Sequence, residues 1–242
     1  MSPTGRVVAS SRDIGIAVAV FGWITALLVT DSLSGLCGQL AWGAATWGVL
    51  LWLLRTETPL VRIQVAVVVV FATAVEYTFS PWLEVYIYRL ENVPAFVSPA
   101  HGLVYLCALA LGRSSVVHRW RVPLVGLTLA AGASYALWGL FGTDRIDMLG
   151  AFWFGCLVAF LRWGQSRLLY VGAFAIVTYV ELLGTWLGVW EWQPLDPTGL
   201  ITIGNPPSGV AGGYGWFDLV ALTTAPALLR GWERLTSNRR PA

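Results

Sequence analysis

Four ionisable side chains stand where an apolar sequence should exclude them. Glu76 sits in VVVVFATAVEY, His101 in PAHGLVYLCALAL, Glu181 in AIVTYVELLG and Asp218 in WFDLVAL. Insertion scales put a charged residue such as Asp at about 2.5–3.5 kcal/mol at the centre of a membrane helix. Each of these groups therefore needs a polar partner or a wet cavity. A carboxyl kept from water tends to hold its proton and can give it to a substrate; a second carboxylate can accept one, and an imidazole can relay it. The assignment that follows makes Glu181 the general acid, Glu76 or Asp218 the base, and His101 the relay. Blander roles exist for three of them. Glu76 can snorkel to the interface, and Asp218 and His101 lie within a turn of it, where hydration or capping suffices. Glu181 lies about two turns from the nearest span end, so it makes the strongest case.

The elements that position these groups are apolar runs. Eight occur, at about 14–30, 37–54, 63–80, 98–112, 124–142, 149–163, 168–190 and 215–230. Most approach the roughly 17–25 residues a helix needs to cross a bilayer. All fifteen basic residues are arginines. On an eight-span reading thirteen fall on one side, from Arg6 and Arg12 through Arg113 and Arg167 to Arg239 and Arg240, and only Arg89 and Arg145 on the other. Short arginine-rich loops stay cytoplasmic. The expected fold is thus all-α: an integral membrane helical bundle of about eight spans, both termini cytoplasmic, in a bacterial cytoplasmic membrane. Residues 1–236 form one domain, followed by a short disordered tail at 237–242. The acids and His101 then gather toward the outer face. Two long outer connections lie above them. Pro81–Val97 is expected to lie along the interface, and Glu191–Tyr214, rich in Pro and Gly, to fold back irregularly.

The aromatic load is high, with fourteen tryptophans. An interfacial belt accounts for several. Trp186 and Trp190, read as i and i+4 on the helix of Glu181, are expected to line a pocket in which aromatic faces shield a cation. Trp186, Trp190, Trp216, Tyr77, Tyr214 and Asn205 are the candidate substrate-binding residues. Gly184 and Gly188 form a small-xxx-small step that permits close helix approach.

Several classes lose support. Cys37, Cys107 and Cys156 are far apart, which argues against a thiol oxidoreductase or a zinc–thiolate site. His101 and His118 are too far apart along the chain to share a haem. No Walker loop occurs, and Ser208-Gly209 lies in a Pro/Gly loop rather than a nucleophile elbow. A net charge of +2 offers no nucleic-acid surface. No metal or cofactor is called for.

From Glu181 onward the chain resembles a stretch of the membrane-bound carotenoid 1,2-hydratases. ELLGTWLG places a glutamate seven residues before a glycine, and in GNPPSGV Gly204 and Gly209 precede Val210. The family shows a similar Glu…Gly step, a Gly…Gly-Val step and a late tryptophan. The likeness covers about residues 181–218 of 242, and VWEWQP stands in place of the family's Pro-Phe-Gly and Tyr-x-Tyr cluster. The resemblance implies acid-initiated chemistry on an isoprenoid double bond: hydration, cyclisation or isomerisation, hence a lyase or isomerase acting on a terpenoid lipid. The alternatives are a transporter for a small solute or proton, or a non-catalytic assembly subunit whose acids pair with a membrane protein partner.

Overall fold

The computed structural model describes residues 10–237; Arg6, Arg239 and Arg240 lie outside them, as does the expected tail apart from Ser237, which ends the last helix. Nine helices and one small sheet make up the described chain. The helices are α1 (Ser10–Asp31), α2 (Leu36–Leu54), α3 (Pro59–Tyr77), α4 (Val97–Arg113), α5 (Ser115–Arg119), α6 (Arg121–Phe141), α7 (Met148–Trp163), α8 (Arg167–Trp186) and α9 (Val210–Ser237). Strands β1 (Tyr86–Tyr88) and β2 (Trp190–Trp192) pair antiparallel. Five helices are long and apolar enough to cross a membrane: α1, α2, α3 with the turn that follows it, α6 and α8. Large apolar side chains such as Val18, Trp52, Val70, Leu127 and Phe152 point outward from these and from α7, as lipid contact requires.

α4 is the central helix. Its 17 residues are buried on almost every side, from Val97 to Ala110, against α1, α2, α3 and α8. Its small residues explain how. A Cβ placed on Gly172 of α8 would come within 2.6 Å of the Ala108 carbonyl oxygen, so the α4 and α8 backbones nearly touch. That closeness needs glycine.

The two long connections, Pro81–Val97 and Glu191–Tyr214, are more ordered than their sequences suggest. α3 does not stop cleanly but widens into a π-helical turn, Thr78–Trp82, in which the Leu83 N–H donates to the Thr78 carbonyl at 2.9 Å. Glu84, at φ +52°, then reverses the chain into β1. The segment expected to lie along the interface is therefore a strand that folds back over the bundle. Its partner β2 begins just after α8, which ends at Trp186 rather than near 190 because Gly188 takes a left-handed φ of +67°. The long loop after β2 is anchored by Asp147, whose carboxylate accepts from the N–H groups of Gly150, Gly204 and Ser208 at 2.9, 2.8 and 2.6 Å. Arg145 donates to the carbonyls of Trp192 and Ile203, tying strand and loop together. Arg89 donates to the carbonyls of Asp31 and Ser34 at the end of α1. Both arginines of the sheet end thus hold backbone.

The opposite end is sewn by charge. Glu57, in the α2–α3 turn, accepts from Arg12 at 2.8 Å and from both Nη atoms of Arg113 at 2.8 and 3.0 Å, while Arg113 also meets Asp13 at 2.7 Å. Burial opposes ionisation of Glu57, but the Arg113 and Arg12 guanidinium groups outweigh it and hold the carboxyl below its ordinary value of 4.5. Glu57 is therefore more acidic folded than unfolded. Its contribution to stability is complete above pH 4.5 and drains away as pH falls through the folded value. Glu57→Gln is expected to cost about 3 kcal/mol at neutral pH, by leaving Arg113 short of its partner, and to flatten the acid limb of a melting-temperature profile in detergent. An unchanged profile would contradict this role.

Candidate functional site

The ends of α3 and α8 and the starts of α4 and α9 meet under the small sheet, around a cavity of about 260 Å³. Each supplies one of the buried polar groups or its wall: Glu76 from the last turn of α3, His101 from the first turns of α4, Glu181 from α8, Tyr214 and Phe217 from α9. The lining is otherwise aliphatic and aromatic.

The sheet forms the roof, and its alternation builds the chemistry. Tyr86 faces Trp192 and Tyr88 faces Trp190 across the register, all four buried, while Ile87 and Glu191 form the intervening pair. All four inward rings carry a donor at the tip, and all four tips go to the two glutamates. Tyr86 and Tyr88 each donate their hydroxyl to Glu76 Oε2 at 2.8 Å. Trp190 and Trp192 each donate an indole N–H to Glu181 Oε2 at 3.1 Å. The second oxygen of Glu76 lies 2.7 Å from His101 Nε2. The imidazole itself stacks on Tyr214, with ring centroids 5.3 Å apart.

The two carboxyls are therefore satisfied unequally. Glu76 has a partner on both oxygens. Among the described residues, nothing donates to Oε1 of Glu181. An indole N–H only donates, so Oε2 must act as acceptor twice over. A proton on Glu181 belongs on Oε1, the oxygen left to the cavity. The arrangement can thus offer a proton from one carboxyl, receive one at a carboxyl–imidazole pair, and present aromatic faces between them.

Of the residues singled out from the sequence, Glu76, His101 and Glu181 line this one cavity, with Trp190, Tyr214 and Trp216. Asp218 does not. It points away behind Tyr214 and Phe217 into a separate, much smaller void. His101, read from the sequence as a relay, is bonded to Glu76. Trp186 and Tyr77 are 80% and 56% exposed and face outward. The Trp186–Trp190 pairing fails because α8 ends between them. Asn205 stands outside the cavity; its side-chain oxygen accepts the Trp192 N–H at 3.1 Å and holds β2 in place. Gly184 serves a ring rather than a helix: a Cβ there would collide with the Trp190 indole. The residues sequence reasoning missed are Tyr86, Tyr88, Trp192, Trp153 and Phe217. The signal for the first three was the i, i+2 alternation of YIY and WEW, which puts like residues on one strand face.

No family model, curated protein or solved structure matches the chain. The site therefore rests on its own geometry.

Gly184→Ala tests that geometry. The added methyl must displace Trp190 and its bond to Glu181, and overpacking of this kind costs typically about 1–3 kcal/mol. Gly22→Ala in α1, where a Cβ meets nothing within 4 Å, should be neutral or stabilising. Thermal unfolding of both variants measures the contrast. Equal stability would mean that Trp190 is not held as described.

Proposed function

We propose that this protein is a multi-pass membrane enzyme acting on an apolar lipid of isoprenoid type by carboxylate acid–base chemistry, with eight spans, both termini cytoplasmic and the cavity in the outer half of the bilayer. The observation that carries this reading is the pair of glutamates under an aromatic roof, one with an oxygen open to the cavity and one joined to a histidine. The distribution of charge between the two ends of the bundle supports the orientation. The likeness of the Glu181–Asp218 stretch to carotenoid 1,2-hydratases points to the same chemistry.

The steps follow from the donors and acceptors. Glu181 gives the proton on Oε1 to one carbon of a double bond. The electron pair of the π bond forms the new C–H bond, and the neighbouring carbon is left cationic. Trp153, Trp190, Trp192 and Tyr214 wall the cavity in which that charge sits, and aromatic faces attract a desolvated cation by about 2 kcal/mol or more. The cation then has two exits. Water adds and loses a proton to the Glu76–His101 pair, which is hydration. Alternatively the adjacent carbon gives its proton to the same pair and a new double bond forms, which is isomerisation. If a second double bond of the same chain attacks the cation first, a ring closes and the positive charge moves to the far carbon of that double bond, to be discharged by either of the same two exits.

Cavity size selects the part of the substrate that enters. About 260 Å³ lies just below the roughly 300–1,000 Å³ of pockets for drug-sized ligands. It suits the end group of a long lipid, with the remaining chain left in the bilayer. Trp216, which lines the cavity and is 48% exposed on the bundle's outer surface, marks where that chain would leave. An assembly subunit would instead present its acids outward; Glu76, Glu181 and Asp218 are 6%, 4% and 4% exposed.

Glu181→Gln keeps the shape and can still accept from both indoles, but it has no carboxyl proton to give. General acid–base contributions are typically about 10²–10⁴-fold. The variant is expected to fold and insert normally while product formation from the native lipid pool falls by at least the lower figure. A well-folded, fully active Glu181→Gln protein would overturn the proposal.

A further inference from the structure

Beneath the cavity, between α4, α8 and α9, lies a second polar cluster that the proposed chemistry leaves unused. Asp218 is 4% exposed, and its Oδ2 has no hydrogen-bond partner. The hydroxyls of Tyr105 and Tyr170, on residues 2% and 1% exposed, are also unpaired. Both tyrosines interact electrostatically with Asp218. A buried polar atom without a partner costs about 1–3 kcal/mol, so Asp218 Oδ2 and the Tyr105 hydroxyl, on residues that line one void, require an explanation. A void of about 10 Å³ lies there, lined by Asp218, Tyr105, His101 and Tyr214 among apolar neighbours from α3, α4, α8 and α9. That is close to the roughly 10–15 Å³ that one water needs, and a buried water usually finds two to four polar partners.

We propose that Asp218 and Tyr105 hold a buried water that continues the Glu76–His101 pair toward the arginine-rich end, forming a proton-exchange site within the bundle. His101 links the two levels, since it lines both the large cavity and the small void. Tyr105 follows His101 by one turn on α4 and feels the Arg113 guanidinium at the end of the same helix. Tyr170 stands in the first turn of α8, next to the arginine-rich end. The polar groups thus descend in order: Glu76, His101, the water with Asp218 and Tyr105, then Tyr170. Other side chains around the void, including Val68, Val104, Ala108, Ala173, Val177 and Phe217, carry no charge. Under the proposed reaction each turnover leaves the proton on Glu76–His101 and Glu181 without one. This site would let the imidazole equilibrate with the arginine-rich side rather than with lipid. The site itself does not depend on that reading.

Infrared spectroscopy of the full-length protein in vesicles, transferred from H₂O to D₂O, tests it without substrate. The carboxyl or carboxylate bands that vanish in Asp218→Asn identify Asp218. In the wild type they should respond to D₂O far faster than the core amide band, and Tyr105→Phe should slow the response at least about tenfold if that hydroxyl holds the water. A response as slow as the core amides, or one untouched by Tyr105→Phe, would overturn the site. Should either variant fail to fold, a high-resolution map of the wild type decides. Density for one water bridging Asp218 Oδ2 and the Tyr105 hydroxyl supports the proposal. A direct Asp218–Tyr105 contact, an empty void or a coordinated metal ion contradicts it. Glu181→Gln should abolish turnover and leave the D₂O response intact, so the two claims fail separately.

Discussion

Two carboxyls buried in an apolar bundle must find hydrogen-bond donors, and here four of them come from a two-stranded sheet only three residues long. Glu76 and Glu181 could not be left bare beneath that roof, because an uncompensated buried carboxylate is far costlier than the sheet is stable. Conversely, an isolated two-stranded sheet is marginal by itself; four aromatic tips fastened to two acids fix it against the helices. The rest of the architecture serves this arrangement. The π-helical end of α3 and the left-handed Gly188 turn the chain into the strands. Arg145, Asn205 and Asp147 hold the far side of β2 and the loop beyond it. The central α4 sets His101 against Glu76.

The helical frame was legible because apolar runs near membrane length admit few other readings, and each long apolar helix lies close to its run. The burial cost of ionisable groups led to Glu76, His101 and Glu181, and their meeting in one cavity follows from helices that share an end. What was hidden lay in short-range detail. YIY and WEW are too brief to stand out as strands, and tryptophan near a membrane edge has an ordinary explanation as an anchor. Trp186 was paired with Trp190 by counting along a helix, yet one glycine at φ +67° separates them. Asp218 matched the other acids in depth, but its side chain points to the opposite side of Tyr214 and Phe217. Depth can be read from a sequence; the facing direction of a side chain near a helix end cannot, because a few residues of offset rotate it through most of a turn.

The resulting molecule is polarised along its axis. At one end Arg12 and Arg113, with Glu57 and Asp13, tie α1, the α2–α3 turn and α4 together by charge. At the other, aromatic rings and two glutamates enclose an apolar chamber. Between them Asp218 and Tyr105 stand among mostly apolar side chains. Such a layout suits a substrate that arrives through the bilayer as a hydrocarbon and meets polar groups only at its reacting end. It would also keep the proposed acid away from bulk water, where a carbocation would be consumed without control.

The most direct measurement is comparative lipid mass spectrometry on cells with and without the gene. The account predicts that loss of the gene raises one apolar isoprenoid species and removes another, the two differing by one molecule of water or having equal mass. A lipid pool unchanged by the gene, in cells where the protein is expressed and folded, would contradict it.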